Sequence, residues 1–385
     1  MSKRVYLDNA ATTPLAPEVF DAMAVVLRDS FGNPSSTHSF GREVKGKIEM
    51  ARRKIAKMLH VTPGELIFTS GGTEADNMAI LGSVRDLGVK RVITSPLEHH
   101  AVLHTVEDLE NQGQIELDFV KLLPDGCVDL AHLEGLLKDE KPTLVSLMHA
   151  NNEIGNLLPL DKVSAMCRQY GAYFHTDTVQ TMGHYKFDLS QLDVDFLTCA
   201  AHKLHGPKGV GFLYVNKNIR IKPLIHGGAQ EREMRGGTEN VYGIIGLAKA
   251  MEMAWEHAEE HQAHVQGVKD HMISLLKAEF PEVQFNGACS QSEQSLYTVL
   301  NVQLPATQKA SMLLFSLDLM GVACSGGSAC SSGSNKGSHV LRALENSNVE
   351  RPNVRFSFSR YTTKEDVEYA VECLKSIYSK EAQLK

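Results

Sequence analysis

Short apolar runs alternate with amphipathic stretches over the first two-thirds of the chain. ELIFTS (65–70), RVITS (91–95), TLVSLMH (143–149), AYFHTD (172–177), FLTCAA (196–201) and GVGFLYV (209–215) read as buried strands. Helical stretches such as 73–86 and 161–169 lie between several of them. Strand–helix alternation of this kind predicts an α/β fold whose mostly parallel sheet is covered on both faces. Residues from about 241 to 279 read as one long helical segment with an apolar stripe. A different pattern follows: TVLNVQL, a helix near 308–320, a Gly/Ser-rich stretch, NVRFSFS and a final helix near 363–378. This predicts a smaller α+β domain beyond a boundary near residue 255. The first dozen residues are extended. The expected division is a large domain over 15–254 and a small one made of 1–14 and 255–385.

Composition narrows the class. The 385 residues are 43% hydrophobic and 22% charged, the balance of a soluble globular protein with ample material for a core. The net charge of -7 is spread without blocks, which points away from nucleic acid and from anionic membrane surfaces. No run of about 18 apolar residues occurs, so no membrane-spanning helix is expected. The start, MSKRVYLDNAATTP, lacks the apolar stretch of a secretory signal. The seven cysteines (Cys127, Cys167, Cys199, Cys289, Cys324, Cys330 and Cys373) are odd in number, irregularly spaced and form no CxxC pair. That pattern argues against a disulfide framework or a structural zinc site, and for reduced thiols in a cytoplasmic protein.

In open α/β sheets ligands sit at the carboxyl ends of the strands. Five segments therefore carry the candidate chemistry: Ser70 to Thr73, Pro96 to His99, Asn151 to Glu153, Asp177 to Gln180, and His202-Lys203. In FTSGGTEADNMAI a strand ends in two glycines and a helix opens near Thr73. Backbone N–H groups there suit a phosphate, or the turn is a plain one capped by Thr73. A Walker loop is excluded, because no GK[ST] follows. Asp177 either caps a helix or pairs with a protonated ring nitrogen, as a pyridoxal-phosphate (PLP) site requires. Lys203 follows an apolar run, and a lysine in an apolar site loses proton affinity and forms Schiff bases. His99 is a capped structural residue, a metal ligand or an aromatic plate. The adjacent His100 does not complete a metal set, and no metal is expected. GVACSGGSACSSGSNKGSH (321–339) reads as a flexible surface loop with exposed thiols. Those thiols are a moving functional group, incidental, or a redox pair of Cys324 and Cys330.

Together these pieces resemble one family: the class V aminotransferase fold, and within it the cysteine desulfurases of the NifS/IscS group. The matching segments are YLDNAATTP (6–14), FGNPSSTH (31–38), FTSGGTEADN (68–77), EHHAV (98–102), MHANNEIG (148–155), HTDTVQ (175–180), HKLHGPKGVG (202–211), HGG with RGGTENV (226–241), GGSACSSGS (326–334) and VRFSFSRYTT (354–363). They occur in family order over nearly the whole chain.

The resemblance implies a PLP-dependent transferase of fold type I, with a seven-stranded sheet in the large domain. It implies Lys203 as the Schiff-base lysine, Asp177 as partner of the pyridine nitrogen, Gln180 as donor to the phenolic oxygen and His99 as the ring-stacking residue that also serves catalysis. Gly72, Thr73 and His202 match phosphate-binding positions. Thr238 matches a phosphate contact supplied by a second subunit, hence a homodimer. Asn152 and Arg355 match the substrate-carboxylate positions, where a guanidinium is well suited. Cys330 matches the nucleophile, on a loop of the long, mobile kind. The implied reaction converts L-cysteine to L-alanine, with sulfur passing through a Cys330 persulfide to an Fe–S scaffold or other acceptor protein. Selenocysteine lyase or small-substrate aminotransferase activity is the alternative within the fold. A non-enzymatic thiol or metal scaffold is the alternative outside it. The chain departs from the family pattern at Ala200, where a serine often binds phosphate, at Ser359, where glycine is frequent, and at Cys324, a second thiol near Cys330.

Overall fold

The structure is a computed structural model that describes residues 3–307, 310–326, 337–345, 348 and 351–382. Strand β1 (Val5–Tyr6) leads into helices α1 (Pro17–Asp29) and α2 (Ser39–Met58). There follow β2 (Leu66–Thr69), α3 (Gly72–Asp86), β3 (Arg91–Thr94), α4 (His100–Asn111) and β4 (Glu116–Phe119). The chain continues through α5 (Leu130–Leu137), β5 (Thr143–Ser146), α6 (Leu160–Gln169), β6 (Tyr173–Asp177), β7 (Phe196–Ala200) and β8 (Gly211–Val215). Helices α7 (Val241–Glu256) and α8 (Ala258–Glu279) precede β9 (Gln284–Phe285), β10 (Val299–Gln303) and α9 (Leu313–Leu319). Last come β11 (Val322–Ala323), α10 (His339–Ala343), β12 (Asn353–Ser357) and α11 (Lys364–Ala382).

A seven-stranded sheet in the order β2-β8-β7-β6-β5-β3-β4 forms the centre. Strands β7, β6, β5, β3 and β4 run parallel to their neighbours in that series, while β8 pairs antiparallel with both β7 and β2. The expected mostly parallel seven-stranded sheet is borne out. Its strands are apolar throughout because both faces are covered, and successive residues feed opposite faces. Phe68, Ile93, Val145, Leu197 and Phe212 join one apolar cluster with α2 and α7. Their neighbours Ile67, Val92, Leu144, Phe196 and Leu213 join another with α3 and α4. The strand absent from the apolar runs is β4, an edge strand whose ELDF sequence is nowhere buried.

The single helical segment expected over 241–279 is two helices. His257 leaves the helical region at φ -112°, ψ 18°, and the chain turns there. Beyond it, β9, β10 and β12 form an antiparallel three-stranded sheet packed on α8 and α11. The amino-terminal segment belongs to this second core: Val5 and Leu7 are buried in it, and β1 pairs in parallel with β11. No helix among the described residues is long and apolar enough to cross a membrane.

A buried ion pair ties α2 to the sheet beside the glycine turn. Arg52, 2% exposed, donates two 2.8 Å bonds to the Glu231 carboxylate and a third to the Leu66 carbonyl. Glu231 in turn accepts from the Phe68 N–H at 2.8 Å. This holds Glu231, Arg232 and Glu233 at positive φ (43°, 58° and 67°), a conformation that non-glycine residues adopt at a cost. Arg52→Met removes one partner and leaves a carboxylate buried. It is expected to lower unfolding free energy by about 3–5 kcal/mol in urea titration. A loss below about 1 kcal/mol would show that the pair does not hold this segment.

Candidate active site

The carboxyl ends of β5, β6 and β7 and the amino-terminal ends of α3 and α4 surround a cavity of about 270 Å³. Among the described residues predicted for the site, it gathers Gly72, Thr73, His99, Asn152, Asp177, Gln180, His202, Lys203 and Arg355. Thr238 does not line it. That residue is exposed on the loop before α7 and borders a separate pocket with Ser70, Gly209 and Asn240. Cys330 lies outside the described residues.

Lys203 ends a short turn that follows β7 directly, which aims it from the strand end into the cavity. Its amine donates to the carbonyls of Ala10 and Ala11, the latter at 2.8 Å. The amino-terminal segment thus forms one wall, and Gln180 Nε2 donates to the same Ala10 carbonyl at 3.1 Å. His202 stands on that wall too, with Nδ1 3.2 Å from Thr12 Oγ1.

Asp177 is the last residue of β6 and is 7% exposed. Its Oδ1 accepts from the Val179 N–H at 2.8 Å. Burial, with the nearby Asp76 carboxyl adding to it, pushes Asp177 up to about 7. A cationic N–H placed beside it would relieve that penalty.

His99 caps α4, its Nδ1 accepting from the Ala101 N–H at 3.1 Å. Burial, followed by the charge of Lys203, lowers it to about 4, so the ring is neutral at pH 7. A neutral plate beside a cationic amine is compatible with an aromatic ring lying between them.

The glycine turn resolves one open alternative. Gly71 at φ 153° is the N-cap of α3 and offers no side chain, while Thr73 lies inside the first turn. Thr73 is therefore not the cap, and among the described residues no side chain caps the first N–H groups of this 15-residue helix. That end favours an anion. A Cβ at Gly72 would lie 2.7 Å from Val179 Cγ2, so glycine lets the helix approach the Asp177–Gln180 segment. Ala200 lines the cavity and supplies no hydroxyl there.

Arg355 rises from β12 and is 1% exposed. It donates to Asp8 Oδ1 at 2.8 Å and to the Asn152 carbonyl at 2.9 Å, while its buried Nε–H has no partner among the described residues. The guanidinium is held by these two bonds with further N–H groups to spare, an arrangement suited to a small carboxylate.

Three residues at the site were not singled out in the sequence: Asp8, which pairs with Arg355, and Asp76 and His339, which line the cavity. Asp76 stands four residues after Gly72, hence on the same helix face, and that spacing was a usable signal. His339 Nε2 donates to the Glu98 carbonyl at 3.0 Å, and its ring sits 4.5 Å from that of His100. Cys324 is half-buried, and burial pushes its thiol up to about 12, so it stays protonated at neutral pH. Among the described residues no group of three or more His, Cys, Asp or Glu is arranged to hold a metal ion.

Residues 5–370 match the family model described as aminotransferase class-V. The chain belongs to that family. Within it, the chain is 45% identical over 99% of its length to a cysteine desulfurase IscS of Dictyoglomus turgidum, covering 96% of that relative. It superposes on a solved NifS-like protein with a TM-score of 0.89 at 37% identity, covering 98% of this chain and all of that one. A solved structure of SspA in complex with cysteine matches with a TM-score of 0.78 at 31% identity, covering 93% of this chain and all of that one.

Proposed function

We propose that the protein is a PLP-dependent cysteine desulfurase that converts L-cysteine to L-alanine and passes the sulfur to Cys330, supplying Fe–S cluster or other thio-cofactor assembly. The observation that carries this reading is the convergence of Lys203, Asp177, His99, Gln180 and Arg355 on one cavity. The donor set fits PLP: an amine for its carbonyl, a buried carboxylate lacking a cation, an uncapped helix end for its phosphate, and a neutral imidazole for its ring face. Gly72, Thr73 and His202 would hold the phosphate, Asp177 the ring nitrogen, and Gln180 the phenolic oxygen.

When bound, PLP supplies a carbonyl carbon for the substrate amine and an electron-poor ring that accepts the charge left by the departing Cα proton. The chain's own groups do the rest. Arg355 and Asn152 orient the substrate carboxylate. The Lys203 amine, displaced from its covalent role, takes the Cα proton and returns one to carbon. Asp177 holds the proton on the ring nitrogen. The Cys330 thiolate attacks the substrate sulfur; the new S–S bond forms as the carbon–sulfur bond breaks. That electron pair stays with carbon, which is protonated to the methyl group of alanine. The persulfide is then carried to a scaffold or other sulfur-acceptor protein.

The same reading takes 15–254 as the cofactor unit and 1–14 with 255–385 as the unit bearing the thiol loop; their separate apolar clusters support it. It takes the protein to be a cytoplasmic homodimer in which Thr238 serves the partner's phosphate site. The exposure of Phe20, Leu27, Phe31, Phe40 and Met50 on and around α1 and α2 supports a protein partner there. The testing experiment is alanine and sulfide production from L-cysteine by purified protein with PLP and a reductant. Stoichiometric alanine is expected. Bound PLP without alanine would remove cysteine as the substrate.

A further inference from the structure

Of the strand-end segment Asn151 to Glu153, the reaction above uses Asn152 and leaves Glu153 without a task. Glu153 is 1% exposed and lines the cavity. Its backbone is pinned on both sides: Asn151 Oδ1 accepts from its N–H at 2.8 Å, and its carbonyl accepts from Asn301 Nδ2 of β10 at 3.1 Å. Its carboxyl Oε2 accepts from Ser338 Oγ at 2.5 Å, the short distance of a charge-assisted bond. Ser338 is buried and is the N-cap of α10, its Oγ accepting from the Leu341 N–H at 3.0 Å. The next residue adds a second tie, from His339 Nε2 to the Glu98 carbonyl at 3.0 Å. Two bonds therefore fasten the start of α10 to the cavity wall.

Ser338 comes eight residues after Cys330, and Ser325 five residues before it. Ser325 is held too. Its N–H donates to the Arg355 carbonyl at 3.2 Å, and its carbonyl accepts from the Arg355 N–H at 2.6 Å. Arg355 in turn donates to the carbonyl of Asn152, the neighbour of Glu153. Both chain ends that flank Cys330 are thus fastened to one linked group, Arg355–Asn152–Glu153. Two of its three members orient the substrate carboxylate in the reading above. A chain anchored at both ends explores less volume than one anchored at a single end, so a group that it carries meets a fixed target more often. We propose that Glu153 is a positioning residue: through Ser338 it anchors the chain beyond Cys330 to the substrate-carboxylate site, and so raises the effective concentration of the thiolate at the substrate sulfur. This rests on the desulfurase reading above.

The test compares Glu153→Ala, Ser338→Ala, their double variant and Ser338→Thr with wild type, each as full-length holoenzyme. Two quantities are read: alanine formed in the first turnover, before any persulfide is reduced, and L-alanine affinity followed by PLP absorbance. Loss of the bond should slow the first turnover by about tenfold. PLP content and L-alanine affinity should stay within about twofold of wild type, because neither involves delivery of the thiol. Ser338→Thr keeps the hydroxyl and should stay within about threefold of wild type. The double variant should be no slower than the slower single one, since all three lose the same bond. Unchanged first turnover in the alanine variants, an equal loss of rate and L-alanine affinity, multiplied losses in the double variant, or no rescue by threonine would each overturn the proposal. Should Glu153→Ala fail to fold, the Ser338 pair decides the matter. If wild type makes no alanine, the desulfurase reading fails and this inference with it. If wild type turns over and the alanine variants match it, the inference fails alone.

Discussion

Lys203→Ala is expected to abolish cysteine turnover, by at least about 10³-fold, and to end covalent attachment of PLP. Lys203 is the one lysine lining the cavity among the described residues, and it leaves β7 at the point where parallel strands present their ligand-binding ends. Both of its proposed tasks need an amine that can lose its proton: bonding to the cofactor, and carrying the Cα proton afterwards. Lys203→Arg is the matching control. It preserves the charge and can still reach the Ala10 and Ala11 carbonyls, yet a guanidinium does not give up its proton. Both variants should therefore be inactive, and borohydride reduction followed by mass spectrometry should find no cofactor on either. Turnover within tenfold of wild type in either variant would remove Lys203 from the chemistry.

Cys330→Ser should separate cofactor binding from sulfur transfer. The variant is expected to keep PLP and its colour while alanine formation falls by on the order of 10³-fold. The case rests on thiolate availability, since the thiolate and not the thiol attacks sulfur. The other six cysteines are poor candidates. Burial pushes Cys127, Cys167 and Cys324 up to about 12 and Cys289 to about 11, and raises Cys199 and Cys373 as well. Cys324→Ser should accordingly retain activity within about threefold, which also tests the redox-pair alternative. Alanine and sulfide formed by Cys330→Ser at the wild-type rate would exclude Cys330 as nucleophile.

The parts of the fold that the sequence announced are those where both faces of a strand are buried. Val92-Ile93 and Leu144-Val145 are apolar on both sides, so the run itself is visible. Strand β4 hid because an edge strand in water needs no such run. The break at His257 hid because no glycine or proline marks it. At the site, Lys203, Asp177 and His99 were legible from their position at strand ends. For Asp76 the four-residue spacing from Gly72 was the one signal, because an acid inside a helix otherwise looks like surface until the helix is placed against the sheet. The contact of Asp8 with Arg355 spans 347 residues, and no local pattern encodes it.

That contact also sets an order of events in biosynthesis. A ribosome delivers Asp8 first and Arg355 on the order of half a minute later, at about 5–20 residues per second. Until β11 and β12 emerge, the segment bearing Asp8, Ala10 and Ala11 has neither its pairing strand nor its ionic partner. Lys203 meanwhile waits for the two carbonyls that anchor its amine. Truncation ahead of β12 would leave every cofactor-facing residue of the large sheet in the chain and still yield no finished pocket.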